Sequence, residues 1–167
     1  MTRFVLDTDV LISLEKTSTG LGLAGRGTMP VVLTDVVWDE LHAPGDPDSR
    51  AQTFAKTIAG GVTELEPGSP AAATLVALQE APKTEGAGEH SVIAYCFHDG
   101  DAIAVLQDKA GIRRGVEELR GRVISFMGFL GVLVERGVLN WPEAHTVAAR
   151  YRRQYTHARI PVWWPPG

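Results

Sequence analysis

Two short apolar runs, each ending on an aspartate and passing straight into a helical pattern, constrain this chain most. The first is RFVLD at 3–7, followed by Val10, Leu11 and Leu14 at helical spacing. The second is DAIAVLQD at 101–108, followed by KAGIRRGVEEL at 109–119. Elsewhere, strand-like and helix-like segments alternate. After a glycine-rich loop at 20–28, MPVVLTD at 29–35 reads as a strand, and VVWDEL at 36–41 as a short helix that APGDPD stops at 43–48. Residues 49–60 suit a helix, and GGVTELEP at 60–67 a turn and short strand. Ser69 as N-cap and Pro70 at the first helical position predict a helix over 70–80. The loop APKTEGAG at 81–88 precedes EHSVIAYCFHDG, a helix ending near Gly100. RVISF at 122–126 reads as a strand and MGFLGVLVERG at 127–137 as an apolar helix. An Asn140–Glu143 capping box with Pro142 in the first turn opens a last helix, reaching 158. Such alternation predicts an α/β domain around a mainly parallel sheet.

At 167 residues the chain suits one domain, here placed at 1–157, with a Trp/Pro-rich tail at 158–167. That tail either packs back on the body or offers a partner a sticky extension. No run of 18 apolar residues exists, so no membrane span is expected. Asp7 interrupts what would be the apolar region of a signal peptide, so export is not expected and a cytoplasmic location is the default. Cys96 is the single cysteine, which excludes an internal disulfide and a cysteine-based zinc site. The net charge of −4 conceals an asymmetry: residues 1–108 carry 6 Lys/Arg against 16 Asp/Glu, and residues 109–167 carry 10 against 4. The split could set an acidic, cation-binding centre beside a phosphate-attracting rim, or be undirected drift of surface charge.

Sites in open α/β sheets form beyond the carboxyl ends of the strands. Asp7 and Asp108 both stand there. Glu40 closes the helix after the second strand, and Glu89 opens the helix before the Asp108 strand. Four carboxylates at one edge repel unless a cation shares them. Oxygen donors without thiolates select magnesium or manganese over zinc. Each acid also has a structural explanation: Asp7 and Asp108 as N-caps, Glu89 as a helix-dipole partner, Glu40 as a surface residue no better placed than Asp39. Arg113 and Arg114, just after Asp108, are candidate phosphate contacts or a solvated face. His90 reads as a helix-surface histidine and stays outside the site. Trp141, Tyr151 and Tyr155 could stack bases, although their helical spacing fits core or interface better.

FVLDTDVLISLE resembles the opening motif of the PIN-domain family, an apolar strand followed by Asp-Thr-Asn and an apolar helix. TDVVWDEL resembles the second motif. GAGEHSVIAYCFHDGDAIAVLQDKAGIRRG is similar to a subgroup with Gly-Glu at the third acidic motif, and GFLGVLVERGVL to that subgroup's Gly-Thr-Leu-Gly helix. The resemblance implies a three-layer α/β/α domain and a metal-dependent endoribonuclease, as in the toxins of VapBC-type toxin–antitoxin pairs. It maps the metal-binding, catalytic acids onto Asp7, Glu40, Glu89 and Asp108, with Mg2+ or Mn2+ as cofactor. It also implies RNA as substrate, a homodimer and an antitoxin partner. Asp9 stands where the family has Asn and is a possible further ligand. Leu106 and Gln107 replace a hydroxyl-bearing residue before the fourth acid, and Phe129 replaces Thr.

Two other classes compete. The DTDV pattern also resembles haloacid-dehalogenase-like phosphatases, with Asp7 as nucleophile and Asp9 as general acid. Lys56 and Lys83 are poor candidates for the lysine that chemistry needs, and Asp101 and Asp108 lie at opposite ends of one strand. A PIN-like module acting only through protein contacts is the second; the lost hydroxyls and aromatic tail favour it, the intact acids oppose it.

Overall fold

The computed structural model describes residues 1–26, 29–42, 49–80 and 86–167. The stop at 43–48, the loop at 81–85 with Lys83, and the end of the glycine-rich loop at 27–28 lie outside them. Four parallel strands form the sheet: β1 (Arg3–Leu6), β2 (Val31–Val32), β3 (Ala102–Val105) and β4 (Val123–Ile124), in the order β2-β1-β3-β4. Among the described residues, eight α-helices flank it: α1 (Thr8–Thr17), α2 (Asp35–Glu40), α3 (Arg50–Ala59), α4 (Pro70–Glu80), α5 (Ala87–His98), α6 (Lys109–Leu119), α7 (Phe126–Glu135) and α8 (Trp141–Gln154). A 3-10 turn occupies Leu23–Arg26. This is the α/β/α arrangement expected, and its sheet is wholly parallel.

The sheet order explains the strand compositions. β1 and β3 are its centre, paired from Arg3 with Ala102 to Leu6 with Val105. Strands covered on both faces carry unbroken apolar runs, and Phe4, Val5 and Leu6 are all buried. The outer strands are shorter than their apolar runs suggested. Within MPVVLTD only Val31 and Val32 pair with β1, against Phe4 and Val5. RVISF stops early because the Ser125 hydroxyl accepts the Gly128 N–H at 3.2 Å and caps α7. GGVTELEP forms no strand, only one bridge between Thr34 and Thr63.

The predicted caps at two helices are present. Ser69 accepts from the Ala72 N–H at 3.1 Å, and the Asn140–Glu143 capping box closes from both sides. Arg26 grips Glu143 with two hydrogen bonds of 2.7 and 2.8 Å, tying the 3-10 turn to α8. α5 starts two residues earlier than expected, at Ala87 with Gly86 as N-cap, so Glu89 is its third residue. α8 ends at Gln154 rather than 158; the chain turns at Tyr155, and the Ala158 N–H returns to the Tyr155 carbonyl at 2.9 Å. The tail then packs back. Trp164 donates to His145 Nδ1 at 3.1 Å and meets Trp141 edge-on at 5.1 Å, and Trp163 covers Gly131 of α7. No described helix is long and apolar enough to cross a membrane.

Candidate metal centre

The chain leaves β1 toward β2 on one side and later fills β3 and β4 on the other, so the connections reverse between β1 and β3. A crevice opens at such a reversal, outside the carboxyl ends of the strands. Asp7 and Asp108 follow those two strands directly.

Asp7 occupies the N-cap position of α1, yet its side chain makes no capping hydrogen bond. It is 2% exposed. Burial, followed by the neighbouring charges of Asp9 and Glu40, pushes its carboxyl from 3.8 up to about 7. Asp9, the second residue of α1, is exposed and also shifted upward, by partial burial and then by Glu40 and Asp108. Oxygen atoms of Asp7, Asp9 and Glu89 lie within 4.8 Å of one another, an arrangement that could hold a metal ion. Asp9, expected from sequence only as a possible further ligand, is therefore one of the three acids that this arrangement brings together.

The other two acids flank this trio. Glu40 is fixed by two bonds: the Thr8 hydroxyl donates to Oε2 at 2.5 Å, and the Gly88 N–H to Oε1 at 2.9 Å. One carboxylate thereby joins α1, α2 and α5, which separates it from its neighbour Asp39. A Cβ on Gly88 would run into Glu40 Oε2, and one on Gly111 would sit 2.6 Å from Glu89 Oε2. Two glycines thus make room for two acids. Asp108 is the N-cap of α6, its Oδ2 accepting from Ala110 N at 2.9 Å and Gly111 N at 3.4 Å. The structural explanation for Asp108 is realised, and Oδ1 takes no part in the cap.

Beside the acids lies an open groove of about 660 Å³, walled by α6, the start of α7, the end of α8 and residues 155–159. Asp9 and Asp108 face it, together with Lys109, His157 and Arg159. Arg113 and Arg114 do not line it; Arg114 pairs with Glu118 at 3.4 Å. Other arginines of the basic half are spent on backbone. Arg122 donates to the carbonyls of Cys96, Asp99 and Ala102, and Arg150 to those of Thr17 and Thr19. Two of the ten cations in that half therefore clamp the backbone.

Ser125, at the groove, supplies a hydroxyl that sequence reading overlooked. Phe129 is a core residue, its ring 5.9 Å from that of Phe4. His90 is buried, not on the surface as expected. Lys56 lies exposed on α3. Trp141 packs in the tail cluster, and Tyr151 stacks on Phe126.

A parallel α/β domain with clustered carboxylates at its topological reversal defines a class suited to divalent metal and phosphate chemistry. A family model described as a PIN domain matches residues 3–157. The chain belongs to the PIN-domain family, whose members are generally metal-dependent nucleases. No match was found among curated proteins or among solved structures.

Proposed function

We propose that the protein is a divalent-metal-dependent endoribonuclease that hydrolyses RNA phosphodiesters. The observation that carries this reading is the convergence of Asp7, Asp9 and Glu89 beside a groove that also holds two cationic side chains. All-oxygen donors fit magnesium or manganese. When bound, such an ion supplies positive charge against the phosphate and lowers the pKa of an attacking water. Asp7, Asp9 and Glu89 would hold the ion, Glu40 fixes their mutual placement through Thr8 and Gly88, and Asp108 would offer the oxygen left over from its cap. Lys109 and Arg159, which line the groove where Arg113 and Arg114 do not, draw the backbone into it. Single-stranded RNA should be cut with magnesium or manganese and spared with chelator. Intact cleavage in both Asp7→Asn and Asp108→Asn would end the proposal.

The same reading makes the protein a cytoplasmic toxin of a toxin–antitoxin pair, acting as a homodimer held in check by an antitoxin. A small DNA-binding protein encoded next to it, relieving growth arrest on co-expression, is the expected finding. The second reading, a protein-binding module without cleavage, draws on Phe129 in the core and on the exposed Trp163. Clean metal binding without cleavage of any RNA would favour it.

A further inference from the structure

We propose that Tyr155 is the stacking platform for a base of single-stranded RNA beside the scissile phosphate; this rests on the nuclease reading above. Three rings form a column that runs from the core to the groove. Phe126 and Tyr151 stack at 4.0 Å with planes 17° apart, and Tyr155 follows at 4.8 Å and 33°. All three line the groove, but their exposures are 1%, 5% and 39%, so the last ring offers a ligand by far the most surface. It is also held in place. Its hydroxyl lies 3.4 Å from Ser13 Oγ, which donates to Gln107 Oε1 at 2.8 Å, and its N–H bonds the Tyr151 carbonyl at 2.9 Å. Gln107 immediately precedes Asp108, so the platform is linked through Ser13 to the residue beside an acid of the site.

A pre-positioned ring loses little side-chain freedom when a flat ligand settles on it. Lys109 and Arg159 in the same groove provide for a phosphate. A flat face and cations beside a carboxylate cluster match a nucleotide better than any single amino-acid side chain. Stacking on an aromatic ring tolerates any base, so this subsite contributes affinity without strict sequence choice.

The test uses single-stranded RNA oligonucleotides carrying 2-aminopurine at successive positions, titrated in magnesium onto the cleavage-silent Asp7→Asn protein. Fluorescence should be quenched at one position. Tyr155→Leu, which keeps apolar packing on Tyr151, should abolish that quench and weaken binding about tenfold, within the range for loss of one stacked base. Tyr155→Phe and Tyr155→Trp should retain both. With Asp7 intact, Tyr155→Leu should raise KM about tenfold and leave kcat within about twofold, the pattern of a lost uniform binding contact. Wild-type quench and KM in Tyr155→Leu overturn the platform while leaving the nuclease reading in place. A position-specific, Tyr155-dependent quench in a protein that never cleaves supports the platform and removes the nuclease.

Discussion

Replacing Asp7 by Asn should make the metal-free protein more stable, although it removes a residue from the centre of the site. The folded carboxyl titrates near 7 and an ordinary one near 3.8. Below pH 4 both folded and unfolded chains hold this proton, and the residue is neutral in its effect. Between pH 4 and 7 the unfolded chain releases the proton while the folded chain keeps it, so stability falls as pH rises. At about 1.4 kcal/mol per pH unit, the loss reaches about 4 kcal/mol near pH 8. An asparagine has the same shape and no charge to desolvate. At roughly 2–4 °C per kcal/mol for a domain of this size, the variant's Tm should exceed the parent's by on the order of 10 °C. Thermal unfolding with chelator at pH 4, 6 and 8 measures this, and the gap should close toward pH 4. Saturating manganese should reverse the order, since only the parent gains from binding. A variant less stable than its parent at pH 8 with chelator would refute burial as the source of the shift.

Asp108 can be dissected, because asparagine caps a helix as well as aspartate does. Asp108→Asn should unfold at the parent's temperature yet lose cleavage, whereas Asp108→Ala should also lose about 1 kcal/mol of stability. Gly115→Ala should destabilise by about 1–2 kcal/mol in urea unfolding, although alanine is the better helix former. A Cβ there meets Val123 Cγ2 at 2.7 Å and Leu106 Cδ1 at 3.2 Å, where α6 lies on the sheet. Gly88→Ala should displace the Glu40 carboxylate and lower cleavage at least tenfold. Its stability should change by less than about 1 kcal/mol, since the helical gain offsets the lost hydrogen bonds.

The central strands and the acids at their ends were legible because burial on both faces writes an unbroken apolar run, and a strand-to-helix junction follows it. Glu40 was harder to read: its partners Thr8 and Gly88 come from other elements, and no periodicity reports them. Asp9 sat in plain view as a departure, but its closeness to Glu89 depends on how α5 meets α1. The cations that line the groove were hard to read for a related reason. Helical phase shows which residues share a face, not which face looks onto the site, and Arg159 follows a helix end that α8's own pattern had run past. The basic half of the chain misled most, since a guanidinium satisfying three carbonyls reads in sequence like one free for phosphate.

The folded-back tail leaves the molecule with a built-in optical gauge. Three of its four tryptophans cluster there, with the Trp164 ring centroid 5.1 Å from that of Trp141 and 5.9 Å from that of Trp163. Indoles that close and tilted couple electronically, and the couplet this gives in the far-ultraviolet circular dichroism is lost when they separate. Ala158 and Arg159, at the start of the same segment, wall the groove. Peeling the segment away would therefore dim an unlabelled spectral band while it opens that wall.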